Sequence, residues 1–316
     1  MKAFYSFFNY IINARFSSKE SMQALLPVMI NGPQSFFRDD DPTYDEETEG
    51  SAANLTKLME DKDTEIALTR HFDDDEQIPY NSIAYFRIFG SILADDSYYW
   101  YFSSKKFLRE LAKAEASNNI IAHFLHISSG GGEAWLLDKV FEALSNTQKP
   151  VIAYIEKTGA SAAYYYAAPA QKIYAYTQND TIGSIGVMVY FWDYAPYFRK
   201  EGFNEIEEYA TNSTLKNKRY NDLINGKPED YIKVELDPLQ QQFEANVRKA
   251  RKKLKDLPEG DPIFAGQTYS GILAKENGLI DELADIEVAI QDTYQRGLKW
   301  REKNNAQKQA LNIYNS

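Results

Sequence analysis

Between residues 83 and 176 the apolar positions fall into short runs, each closed by turn-forming residues. Residues 83–90, 120–127, 150–155 and 172–176 are rich in Ile, Val, Phe and Tyr, and their length and boundaries predict strands. The intervening segments 104–115, 133–144 and 160–168 carry apolar residues at helical spacing and predict helices. Strand and helix alternating at short intervals is the pattern of a parallel sheet covered by crossover helices, so the expected class is α/β. Past residue 230 the texture becomes more helical, with helices expected over 237–256, 274–283 and 286–296 and a polar stretch from Glu302. No tandem repeat is evident.

Ahead of this region the pattern differs. Residues 1–37 predict a helical N-terminal arm, with Ser17, Ser18 and Glu20 offering capping chemistry before Met22 to Leu26. A charged run with Pro42 and Gly50 follows over 38–50, and it cannot bury a face; the expected acidic linker, with a helix, extends to residue 78. The expected main domain then spans 79–298, with a polar tail over 299–316. The apolar start from Ala3 to Ile12 is broken by Ser6 and Asn9, and no small-residue cleavage site follows before Arg15. It predicts an amphipathic helix rather than a secretory signal. Nowhere do about 18 uncharged apolar residues run together, so no membrane span and a cytoplasmic location are expected.

Composition narrows the chemistry. The 46 acidic against 35 basic side chains give a formal net charge of −11, which repels phosphate backbones and argues against nucleic acid as a partner. The chain has no cysteine, which removes thiol nucleophiles, disulfides and thiolate metal sites together. Its three histidines, His71, His123 and His126, do not stand at a zinc-helix spacing, so neither a metal nor another cofactor is expected. The long helix expected over 237–256 gathers Arg248, Lys249, Arg251, Lys252, Lys253 and Lys255 late, as a solvated helix with cations near its C-terminus does.

Two strand-to-helix transitions carry the candidate chemistry. The first is Ser128-Ser129-Gly130-Gly131-Gly132-Glu133. Its glycines let the backbone approach a ligand and point amides outward, as an oxyanion site requires; a plain flexible turn reads the same way. The second, Thr158-Gly159-Ala160-Ser161-Ala162-Ala163, flanks one serine with small residues at a helix start, where the dipole favours an alkoxide. Taken alone, a serine at a helix start is far more often a cap. The two together, about 30 residues apart, are what point to nucleophilic catalysis.

At these residues a family resemblance appears. Ser129-Gly130-Gly131-Gly132, then Gly159-Ala160-Ser161-Ala162-Ala163-Tyr164-Tyr165, then Gly183-Ser184-Ile185-Gly186-Val187 resemble three successive signatures of the signal peptide peptidase A family and its phage relatives, the prohead proteases called protein C. Phe264-Ala265-Gly266-Gln267-Thr268-Tyr269-Ser270, with Ala274 and Gly278-Leu279-Ile280-Asp281-Glu282, is similar to the family's closing segment. The resemblance covers about residues 83–295. It implies a ClpP/crotonase-like fold, a serine endopeptidase with a Ser-Lys dyad, a protein or peptide substrate and a homo-oligomer. Ser161 falls on the nucleophile position, and Gly131, Gly132 and Ala162 on the oxyanion and substrate-binding positions.

The family's lysine stands fifty-odd residues further on, where Lys216 fits best; the glycine of that motif is absent, which keeps Lys218 as an alternative. A free lysine titrates near ~10.4, and bringing it to about 7 costs roughly 4 kcal/mol, so the base needs desolvation or a neighbouring cation. Lys218 and Arg219 are candidates for the cation, and Tyr164 to Tyr166 with Trp192 for a dry wall. On this reading Gly132→Val should slow turnover with little loss of stability. Gly130 stands where the family often has proline, and Ser128 where it has Asn or Asp; neither removes a backbone donor. The lack of a membrane anchor favours the phage branch, with capsid or scaffold proteins as possible partners, although no long scaffold-like extension follows. Three alternatives remain at this point: a Ser-His-Asp triad, which lacks a histidine near 183–186; a crotonase-type acyl-CoA enzyme; and an inactive assembly or scaffold protein of the same fold.

Overall fold

The computed structural model describes residues 66–96, 101–204 and 206–314. The expected N-terminal arm and most of the acidic linker therefore lie outside the described residues. In the first half of the described chain the order is β1 (Leu68–Thr69), β2 (Ser82–Leu93), β3 (Phe102–Ser103), α1 (Ser104–Ala116), β4 (Ile120–Gly132), α2 (Leu137–Ser145), β5 (Val151–Ala160), α3 (Ala162–Ala167), β6 (Lys172–Ala175) and β7 (Thr181–Gly183). In the second half come α4 (Ala195–Lys200), α5 (Lys218–Ile224), α6 (Asp237–Ala250), β8 (Thr268–Ser270), α7 (Gly271–Glu276), β9 (Glu282–Leu283) and α8 (Ile286–Tyr314).

The strands form one sheet in the order β1-β2-β4-β5-β6-β9, parallel throughout. One edge of β5 is shared between two neighbours: residues 152–155 pair with β6, and Thr158 to Ala160 pair with β7, which in turn takes β8 antiparallel. This is the mostly parallel α/β arrangement with crossover helices expected of the ClpP/crotonase-like fold.

Side-chain alternation explains why both faces are covered. Ala84, Phe86, Ile88, Leu125, Ile127, Ala153 and Ile155 face the layer of α1, α2 and α3. Ile83, Tyr85, Phe124, Ile152 and Tyr154 face α8. Sheets of parallel strands are buried on both sides, and each fully buried large apolar side chain adds roughly 1.5–3 kcal/mol. Helix α1 starts where the Ser103 hydroxyl accepts from Lys106 N at 3.0 Å, and it buries Phe107, Leu111 and Ala114 along one stripe.

Four segments depart from the sequence-based expectation, the first being the helix expected over 237–256, which ends at Ala250 where the buried Arg251 turns out of it to bond Gly278 O and Asp281. Residues 133–135 are not helical: Glu133 N donates to Ile92 O at 2.8 Å, which prolongs the sheet, and α2 begins only after Leu136 at φ +66°. The helix expected over 274–283 is instead Gly271–Glu276, and Gly278 beyond it, φ +83°, turns the chain to place β9 beside β6. The last helix, in contrast, runs to Tyr314 rather than ending at residue 296. Among the described residues, no helix is long and apolar enough to cross a membrane.

Candidate active site

Ser161 occupies the single residue between the end of β5 and the start of α3, at φ +55° and ψ −124°. A residue with a Cβ rarely adopts that conformation, and where one does the surroundings impose it. Here Ser161 N donates to Gly183 O at 2.8 Å, and Ser161 O accepts from Tyr165 N at 3.1 Å. The side chain is fully buried among Ala160, Ala162 and Ala163.

The glycine-rich run meets it directly. Gly131 has φ +104°, and a Cβ placed there would lie 2.8 Å from Ser161 Cβ and 3.0 Å from Ala162 N. Only glycine permits this approach, so the two motifs are in van der Waals contact. At Gly132 a Cβ would come within 1.9 Å of Ile92 O. That corrects the expectation for Gly132→Val: the substitution pushes β2 and β4 apart and destabilises the sheet, so it does not read turnover alone. Because Glu133 N bonds Ile92 O while Gly132 is the register partner of Ile92, the Gly132 N–H points away from β2. The Gly131 amide is engaged by the Ser129 hydroxyl at 3.1 Å.

The later motifs enclose the same point. Ser184, φ +51°, donates its N–H to Gln267 O at 2.8 Å, and Gly186 packs on Gly266. Helix α3 is held by its tyrosines: Tyr164 Oη donates to Leu279 O at 2.7 Å, Tyr166 Oη to Ser104 Oγ at 2.8 Å, and Asn246 Nδ2 donates to Tyr165 Oη. Burial pushes all three phenols above their ordinary range. They staple the helix behind Ser161 to α1, α6 and the segment before β9.

The candidate lysines are elsewhere. Lys216 sits on an exposed turn, its N–H bonded to Ser213 O at 3.1 Å. Lys218 pairs with Asp222, and that hydrogen bond raises its pKa, the direction opposite to what a base needs. Arg219 is paired with Asp230 and Glu235, and Trp192 is exposed. The structure thus brings Gly131, Ser161 and Ala162 together but leaves Lys216 and Lys218 at the surface.

The buried histidines have other partners. His123 Nε2 bonds Glu115 at 2.7 Å; His126 lies between Tyr85 Oη, 2.6 Å from Nδ1, and Glu156, 3.0 Å from Nε2. Two residues of the first motif carry roles that their sequence does not show, Ser129 as a hydrogen-bonding group and Glu133 as a buried carboxylate. The only signal for Glu133 was a carboxylate placed directly after a glycine run at the end of an apolar strand.

The model of peptidase family S49 matches residues 143–299. Protease 4 of Haemophilus influenzae is 27% identical over 219 residues, 68% of this chain and 35% of the relative. A putative signal peptide peptidase SppA of Enterococcus faecium is 26% identical over 196 residues, 60% of this chain and 55% of the relative. The chain thus spans about a third to a little over half of the length of these curated relatives. Among solved structures, a membrane-bound stomatin-specific protease with a substrate peptide aligns over 66% of this chain and 78% of that one, at 17% identity and a TM-score of 0.39.

Proposed function

The chain belongs to peptidase family S49, and on that premise we propose that it is a serine endopeptidase in which Ser161 attacks the scissile carbonyl and Lys216 accepts its proton. The observation that carries this reading is the conformation of Ser161. A non-glycine residue held at positive φ, between a strand and a helix N-terminus and against a glycine that tolerates no Cβ, is what an activated serine requires. The Gly132 amide, turned away from β2, and the Ala162 amide at the first position of α3 serve as oxyanion donors. Gly131 then lines the site while its own amide stays with Ser129.

Lys216 is favoured over Lys218 because Lys218 is already stabilised as an ammonium by Asp222. Its side chain is exposed in the protomer, so the dry surroundings that a lysine base needs come from a second surface. We take that surface to be another copy of the chain. The segment 187–236, which carries the lysine, supports this, since it exposes Trp192, Tyr197, Phe203, Ile206 and Leu215. The dyad is then shared between subunits of a ring or stack. Because Ser161 is buried, a substrate carbonyl reaches it only when the residues covering it part.

The substrate class is a protein or peptide, and the biological role is maturation of capsid or scaffold proteins in a phage-type setting or signal-peptide degradation of the SppA type. The competing reading is an inactive assembly protein that keeps the fold. A serine-directed fluorophosphonate together with casein hydrolysis tests the choice. The parent should be labelled on Ser161 and should cleave; Ser161→Ala should lose both, by about 10⁴-fold or more in turnover, with unchanged melting. A parent that neither cleaves nor labels supports the assembly protein instead.

A further inference from the structure

Glu133 is a carboxylate with no solvent exposure, placed directly after the glycine run. Burying a carboxylate is costly unless it is hydrogen-bonded, so a residue like this needs a reason to be there. Its Oε2 accepts from Ala94 N at 2.6 Å, while its own N–H donates to Ile92 O at 2.8 Å. Side chain and main chain of one residue therefore grip the end of β2 on both sides of Leu93. Ala94 in turn accepts from Lys105 N at 3.0 Å, which links the grip to the first turn of α1.

The place matters because the β2–β4 ladder is irregular just before it. Its register slips between Phe89 and Ser91, where Gly90 takes φ +71°, and the pairing ends at Ile92 with Gly132. At the near end of the glycine run Ser129 compensates, donating its hydroxyl to Gly90 O at 2.6 Å and accepting from Gly131 N at 3.1 Å. At the far end Glu133 plays that part. Three consecutive glycines have the largest backbone freedom of any sequence, whereas an oxyanion donor works only if it is already in place.

We infer that Glu133 is a positioning residue: its carboxylate clamps the Ala94 amide and so fixes the Gly132 N–H toward the reacting carbonyl. This rests on the reading of Ser161 as nucleophile. The requirement is for an acceptor at that position, not for a charge, so the two can be separated by substitution. Glu133→Gln keeps a carbonyl acceptor of the same reach, and Glu133→Ala removes it.

The test uses the full-length protein, fluorescently labelled casein and thermal melting. Glu133→Ala should lower kcat by about 10- to 100-fold with KM within about threefold of the parent, while Glu133→Gln should keep kcat within about threefold. A folded alanine variant with parental kcat overturns the inference, and so does a natively melting Glu133→Gln as impaired as alanine. If Glu133→Ala does not fold, Glu133→Asp replaces it, since it withdraws the acceptor by one methylene and keeps the charge. A lowered kcat in that variant supports the clamp, and a parental kcat refutes it. Ser161→Ala in the same assay keeps the two claims apart. Parental turnover there removes the nucleophile reading and the clamp with it, whereas an inactive Ser161→Ala beside an unimpaired Glu133→Ala refutes the clamp alone.

Discussion

Two regions of this molecule stand in opposite states. Around Ser161 the ends of β4, β5 and β7 converge, every flanking side chain is small and buried, and main-chain contacts such as Ser161 N to Gly183 O fix the geometry. Over 187–236 the chain leaves the sheet, carries Lys216 on an exposed turn and Lys218 at the exposed start of α5, and shows aromatic and aliphatic side chains to solvent. The first region is complete within one protomer. The second holds the other half of the proposed dyad on an exposed turn. A serine can be oriented by local backbone geometry, but a lysine base needs removal from water, which a surface segment obtains only from something that packs on it.

After loss of Ser161 itself, the largest effect should come from breaking the second region. Lys216→Ala is expected to lower turnover by about 10² to 10⁴-fold, the range for loss of a general base, and Lys218→Ala to keep most of it. Exchange of those two outcomes would move the base by two residues. Mixing Ser161→Ala chains with Lys216→Ala chains sharpens the comparison further: activity should return in the mixture if the halves of the site come from different subunits. Inactive mixed oligomers, shown to form by mass, would mean that each chain builds its own dyad.

A smaller effect is expected from disturbing the first region without touching the nucleophile. Gly131→Ala adds a Cβ 2.8 Å from Ser161 Cβ at a φ of +104°. The strain should cost about 1–3 kcal/mol in a urea melt. Displacement of the serine and its oxyanion donors should lower kcat by about 10²-fold. Parental stability together with parental rate would show that the strand ends are less tightly joined than the geometry indicates.

The smallest effect concerns pH and lies away from both regions. Burial holds His123 and His126 below their ordinary pKa, despite the opposing pull of Glu115 and Glu156. The unfolded chain therefore binds protons that the folded chain refuses once the pH falls below about 6.5, and stability should decline from there downward. A melting temperature flat from pH 8 to 5 would contradict this. In a His126→Gln variant the decline should be shallower, with activity at pH 8 retained.

Much of the fold was readable from residues alone, and particular elements show why. Residues 120–127 and 150–155 are apolar on both faces, which only a strand covered on both sides can bury, and they became the central pair β4 and β5. Residues 133–135 were misread because their helical pattern is local, whereas the hydrogen bond from Glu133 N to Ile92 O that keeps them extended joins positions 41 apart. The helix expected over 274–283 failed for a similar reason, since Gly278 turns the chain so that β9 can pair with β6 more than a hundred residues earlier.

The site divides along the same line. The amino-acid order alone determined that a small-flanked serine and a glycine run would each sit at a strand-to-helix transition, because apolar runs, glycines and helix-start residues act over a few neighbouring positions. Only the tertiary structure decided that Gly131 touches Ser161, that Gly132 abuts Ile92 and cannot be enlarged, that Glu133 is buried on Ala94, and that Lys216 stays in water. Those facts depend on which strands lie side by side and at what register. A shift of one residue reverses every side chain on a strand, so contacts of this kind exist only once the whole sheet has closed.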